Sequence, residues 1–246
     1  MTTPAVPDGD FASARFDQDT GVPPSHLLMI YSTPRSGSTM LCDLVHRTGL
    51  CTPHEYFQPY QYRPAMSDRW GVEADDDAEY VAALCRYRTG QSGWLGINLH
   101  GHHLDGWSKA RTHLPASITT ETHVFVSRRD KIAQAVSYFI AAEGGAWSTA
   151  FEPGATPAYD YEGIARKRHA ILRMESQIET FLDVQGIRPA RLVYEEIARD
   201  PAPFLTLLPV SEIPGEAGIQ RQDSSKSFPV ALCSVNGDGN RALDHT

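Results

Sequence analysis

Residues 27–39 read LLMIYSTPRSGST, and this stretch decides the fold. Leu27 to Ser32 is a continuous apolar run of strand length, the pattern of a strand buried on both faces of a parallel sheet. It stops in Thr33-Pro34-Arg35-Ser36-Gly37-Ser38-Thr39. From Ser38 the spacing of Met40, Leu41, Leu44 and Val45 puts apolar groups on one helical face, and Gly49 is a stop signal. The unit is strand, Gly/Ser loop, helix. Working outward, WLGINL (94–99) and THVFVS (122–127) read as two more buried strands. Helical spacing predicts helices over 76–87, from Asp130 as N-cap through Ile140, and over 161–182. A last strand over 191–194 precedes a short helix. Strands separated by helices at these lengths predict an α/β fold with a mainly parallel sheet.

Residues 1–25 hold four prolines, two glycines and four aspartates without apolar periodicity, which predicts a disordered N-terminal tail ahead of one domain spanning 26–246. The stretch 52–69, with four aromatics and three prolines, predicts a long ordered loop, the kind that serves a site. Lys and Arg total 22 against 30 Asp and Glu, so the net charge of −8 argues against bulk binding of nucleic acid or anionic membranes. Any bound anion therefore needs a local site. Cys42, Cys51, Cys85 and Cys233 form neither a CxxC pair nor a metal-ligand spacing, which predicts reduced thiols and a cytoplasmic protein. The N-terminus lacks the basic and apolar stretches of a signal peptide, and no run reaches the ~18 to 20 apolar residues of a membrane span.

The 32–39 loop aims backbone N–H groups and the positive end of a helix dipole at one point, which is an anion site. Ser36, Ser38 and Thr39 add hydroxyl donors and Arg35 adds a forked cation. The loop is neither GxxxxGK[ST], since Ser38 stands in the lysine's place, nor GxGxxG, nor the GxSxG elbow of serine hydrolases. A second cationic motif, Arg128-Arg129-Asp130, ends the 122–127 strand at the edge where open α/β sheets bind ligands. Ser137, two helical turns on, points back over that edge. Two anion sites on one sheet edge suit a ligand carrying two separated phosphate-like groups.

STPRSGST (32–39), HEYFQP (54–59) and RRDKIAQAVSY (128–138), in this order, resemble the bacterial PAPS-dependent sulfotransferases of the trehalose sulfotransferase type over residues 26–200. The resemblance implies a P-loop-like sulfotransferase fold and 3′-phosphoadenosine-5′-phosphosulfate (PAPS) as sulfuryl donor. It also implies a small-molecule hydroxyl acceptor, most simply a carbohydrate or glycoconjugate. Arg35, Ser36, Gly37, Ser38 and Thr39 would hold the 5′-phosphosulfate, and Arg128 or Arg129 with Ser137 the 3′-phosphate. Arg35 would stabilise the leaving group, and Glu55 would be the base, with neighbouring His54 as its rival. No metal is needed, because a transferred SO₃ leaves without a cation to mask charge. The sequence does not give the oligomeric state, although relatives of this kind form dimers and the resemblance allows a homodimer.

His100, His102 and His103 lack a cysteine or acid at zinc spacing and are expected near the ligand edge without a metal. Tyr56, Phe57, Tyr60 and Trp147 are candidates to stack on an acceptor. Two positions depart from the family pattern: Gly96-Ile97-Asn98 stands where Gly-x-Lys is common, and QRQDSSKS (220–227), with Arg221 and Lys226, matches the closing loop only loosely. A metabolite kinase with a modified phosphate loop and a non-catalytic PAP-binding module are the alternatives.

Overall fold

The computed structural model describes residues 6–145, 147–148, 150–152 and 154–210. Four parallel strands, β1 (His26–Ser32), β2 (Trp94–His100), β3 (Thr120–Ser127) and β4 (Ala190–Val193), form one sheet in the order β2-β1-β3-β4. The apolar run of β1 is buried on both faces, as its sequence predicts. Its alternate residues feed two cores. Leu27, Met29 and Tyr31 join Leu95, Ile97, Leu99 and Phe125 on one face, and Leu28 and Ile30 join Val124 and Val126 on the other.

Helices cover both faces. The first core is closed by α3 (Asp77–Arg88) through Tyr80, Val81 and Leu84, by α4 (Leu104–Ala110) through Trp107, and by α6 (Tyr161–Val184) through Ile178 and Leu182. The second is closed by α1 (Ser38–Arg47), α7 (Tyr194–Ile197) and α8 (Ala202–Leu205). Asp76 and Asp130 cap α3 and α5 (Lys131–Gly144), each carboxylate accepting two backbone N–H groups of the first turn.

The expected 52–69 loop is only partly a loop, since Tyr62–Trp70 forms helix α2. Pro64 sits in the first turn of that helix, where its missing N–H has no intrahelical acceptor to lose. Tyr56 and Phe57, candidates to stack on an acceptor, are instead buried in the first core and are not among the residues lining the cavity described below.

Residues 6–25 correct the expectation of a disordered tail. Asp10, Ala12 and Ser13 are buried, Ala14–Phe16 forms a 3₁₀ turn, and the segment runs as a strap over α2 and α3. Polar contacts hold it, which is why hydrophobic periodicity misses it. The Asp17 carboxylate accepts from Arg69 Nε (2.8 Å) and Nη2 (3.1 Å) and from Trp70 Nε1 (3.1 Å), and it pairs with Arg88 at 2.8 Å. Arg88, its side chain wholly buried, also donates to the carbonyls of Phe11 and Ser13. The segment after Val210, with Cys233, Arg221 and Lys226, lies outside the described residues.

Removing one partner of a buried ion pair leaves an uncompensated charge, at a cost of about 3–5 kcal/mol. Asp17→Ala is therefore expected to lower unfolding stability in urea by that order. Asp19→Ala, whose pair with Arg86 is exposed, serves as the control. Equal stability of the two variants would show that the strap is not held through Asp17.

Candidate active site

All four strands are parallel, so the segments leaving β1, β2 and β3 emerge at the same sheet edge. A cavity of about 900 Å³ lies there, lined by the β1 loop, the turn at 54–55, the ends of β2 and β3, α5, α6 and the strap.

One end of the cavity is cationic. Arg35 occupies the left-handed region at φ 65°, a conformation that costs a non-glycine residue of order 1–3 kcal/mol and clusters at ligand sites. Gln134 of α5, fully buried, braces the loop by donating to Thr33 Oγ1 (2.9 Å) and the Pro34 carbonyl (2.8 Å). Arg35 Nε donates to Ser137 Oγ (2.9 Å) and Nη1 to the Trp147 carbonyl (2.6 Å). Gly37, at φ 94°, precedes α1, whose N-terminus has no side-chain cap. A Cβ on Gly37 would lie 2.4 Å from the ring of Tyr194, so only glycine lets the end of β4 approach the loop. Arg128 covers that same ring at 5.0 Å and reaches the Arg35 carbonyl.

Burial, and then the charge of Arg128, push the Arg35 guanidinium below the usual arginine range. Two cations so placed, beside an uncapped helix N-terminus, favour an anion between them. Arg128 Nε is buried without a hydrogen-bond partner, as is Ser36 Oγ beneath the loop.

Of the residues expected to hold the anion, Arg35, Gly37, Ser38, Thr39, Arg128 and Ser137 line the cavity together. Two do not. Ser36 is buried away from the lining, and Arg129 lies outside the cavity because its guanidinium donates to Glu196 (2.6 Å) while its backbone N–H donates to Glu195. The one-residue ambiguity between the two arginines is thus resolved in position: Arg128 faces the cavity and Arg129 a separate surface.

The other end carries acids and imidazoles. His54 joins the edge of β2 in a parallel bridge to Ile97, its carbonyl accepting the Asn98 N–H at 2.8 Å. Gly96 permits this, since a Cβ there would meet Pro53 at 2.6 Å. The pinned turn holds Glu55 over the sheet edge, with Oε2 3.3 Å from His100 Nδ1 and 4.0 Å from His103 Nε2. Burial, and then the charge of Asp10, raise the Glu55 carboxyl to about 8. Burial holds His100 and His103 neutral, well below the ordinary imidazole range. Glu55 is therefore a carboxyl poised near neutrality, a property sequence alone does not display.

His100, His102 and His103 bring ring nitrogens within 4.8 Å of one another. His103 Nδ1 accepts the His100 backbone N–H at 3.1 Å, so its Nε2 carries the proton and offers no lone pair. That tautomer removes one ligand from the trio. Asn98, in place of a lysine, accepts the Ser32 hydroxyl at 2.7 Å and brings no charge. Tyr60 and Trp147 line the cavity, as does Tyr194, which sequence reading passed over because nothing marks an aromatic after an edge strand as a loop contact.

Among the described residues, no helix is long and apolar enough to cross a membrane. The sulfotransferase domain from the Synechococcus PCC 7002 olefin synthase is similar to this chain at 17% identity, with a TM-score of 0.40, over 75% of this chain and 72% of that one. Comparison with curated proteins gave no match. The sequence model of the Stf0 sulphotransferases matches residues 27–92 and 97–208, well over half of the chain, and the protein with this strand, loop and helix at its centre belongs to the Stf0 sulphotransferase family.

Proposed function

We propose that the protein transfers a sulfuryl group from PAPS to a hydroxyl of a small metabolite, a carbohydrate or glycoconjugate by resemblance. The observation that carries this reading is the pairing, within one cavity, of a two-arginine anion cradle with a half-buried carboxyl of raised proton affinity. PAPS, when bound, supplies the activated sulfuryl group. Ser38, Thr39 and the N-terminus of α1 would hold its 5′-phosphosulfate, and Arg128 with Ser137 its 3′-phosphate. The Arg35 guanidinium stabilises negative charge developing on the leaving 5′-phosphate. Glu55, once ionised, accepts the proton of the acceptor hydroxyl. His100, neutral and 3.3 Å from Glu55, fixes the carboxyl's orientation.

The direct test is a thermal-shift comparison. PAP without magnesium is expected to raise the melting temperature, and ATP with magnesium is not. Stabilisation by ATP and magnesium alone would make the protein a kinase of modified loop.

The two arginines give a sharper outcome. Arg128→Ala is expected to weaken PAP binding by about 1.5–3 kcal/mol, the worth of a hydrogen bond to a charged group, with adenosine 5′-phosphosulfate affected far less. Arg129→Ala, on the outer surface, is expected to leave both affinities unchanged in calorimetry. Equal losses in the two variants would reject the 3′-phosphate assignment.

The base predicts a pH dependence. A base works only when ionised, so kcat/KM should rise with pH through about 8, the value to which burial raises Glu55. Glu55→Gln is expected to remove this rising limb and to cost about 10²–10⁴ in turnover while PAP affinity survives. Persistence of the limb in Glu55→Gln, with its loss in His54→Gln, would move the base to histidine.

A further inference from the structure

The strap enters the cavity that the family motifs build, although the family match begins only at residue 27. Gly9, Asp10, Phe11, Arg15 and Phe16 all line that cavity. Phe11 and Phe16 pack on His46 at the far end of α1, with centroids 5.0 and 5.2 Å away. This places the strap beside the Glu55 turn and at the opposite end of α1 from Gly37.

Asp10 is the unusual member. A carboxylate only 5% exposed needs strong local partners, and Asp10 has them: Oδ1 accepts the Ala12 N–H at 2.8 Å and lies 3.2 Å from His54 Nε2, and Oδ2 accepts the Tyr62 hydroxyl at 3.2 Å. The rings of His54 and Tyr62 meet edge to face at 4.4 Å. One carboxylate thus ties the strap to α2 and to the residue immediately before Glu55. Resting on the reading of Glu55 as the base, we infer that Asp10 is a positioning residue for it: the strap carries Asp10 into the cavity, where it sets the His54–Glu55 turn against the sheet edge.

The surrounding charges single out Asp10. Glu55 is faced by His54, His100 and His103 from the sheet side, by Tyr62 from α2, by Tyr138 from α5 and by Cys42 from α1. Burial holds His100 and His103 neutral and pushes the Tyr62 and Tyr138 hydroxyls and the Cys42 thiol upward, so these five are uncharged near pH 8. Asp10 behaves oppositely. Burial works to raise its carboxyl, but His54, the Ala12 N–H and Tyr62 outweigh burial and lower it, so Asp10 stays ionised. Its negative charge opposes ionisation of Glu55.

The test uses full-length protein labelled with ¹³C at the glutamate side-chain carboxyls, the Glu55 resonance being assigned by its loss in Glu55→Gln. Asp10→Asn keeps the shape and an acceptor oxygen while removing the charge, so the Glu55 titration midpoint is expected to fall by about half a pH unit or more. PAP affinity, read by calorimetry, should stay within about two-fold because the cationic end is untouched. A merely structural role for Asp10 would not move the Glu55 midpoint in a folded Asp10→Asn variant, and an unmoved midpoint overturns the inference. A large loss of PAP affinity in that variant would overturn it too, by placing Asp10 on the donor side. Should Asp10→Asn fail to fold, Asp10→Ser carries the test: it too removes the charge while leaving an oxygen for the Ala12 N–H, and an unchanged Glu55 midpoint there overturns the inference equally. Failure of PAP to bind wild-type protein would sink the sulfuryl-transfer reading alone, since the Glu55 titration still decides the coupling.

Discussion

Enclosure of β1 on every side is the constraint on which the rest depends. With β2 and β3 paired to its two edges and a core on each face, the strand has no freedom to shift, because a slip of one residue would exchange its two sets of apolar side chains between cores. Its end is therefore a fixed point. The loop that leaves it can hold Arg35 in a strained conformation only because rigid neighbours, Gln134 beneath and Tyr194 beside, determine its path.

Division of the cavity follows from that frame. Parallel strands deliver the anion cradle from the ends of β1 and β3 and the carboxyl–imidazole group from the end of β2 and the loop pinned to it. A reaction that both stabilises a leaving anion and removes a proton from an incoming hydroxyl needs these two functions on opposite sides of the transferred group. On the proposed reading the sheet supplies that separation by giving Arg35 and Arg128 to the ends of β1 and β3 and Glu55 to the turn pinned on β2.

Much of this was legible in the sequence, and the parts that were not share a cause. β1, β3, α5 and the capping aspartates announce themselves through apolar runs, helical spacing and N-cap chemistry, all of which are local. Motifs put Arg35, Glu55 and Ser137 forward, and the structure brings all three to the lining of one cavity. The strap was not, because Asp17, Arg69 and Arg88 come from three separate segments and their pairing leaves no periodic trace. Helix α2 was hidden by Pro64, which reads as a breaker unless the start of the helix is already known. The raised proton affinity of Glu55 depends on burial and on Asp10, neither of which a motif encodes. Which of Arg128 and Arg129 faces the cavity turns on where the strand ends, to a single residue.

The contact of Gly37 with Tyr194 also bears on the order in which the molecule assembles. The loop lies near the start of the domain, whereas Tyr194 follows β4, at the far end of the described chain. Contacts between distant segments form late, because the intervening chain must first give up its freedom. During synthesis the cradle would remain unsupported on the Tyr194 side until β4 had emerged and docked against β3. A nascent chain that already held β1, α1 and most of its core would still lack the contact that closes the β1 loop, so the proposed anion site is completed only with nearly all of the described residues.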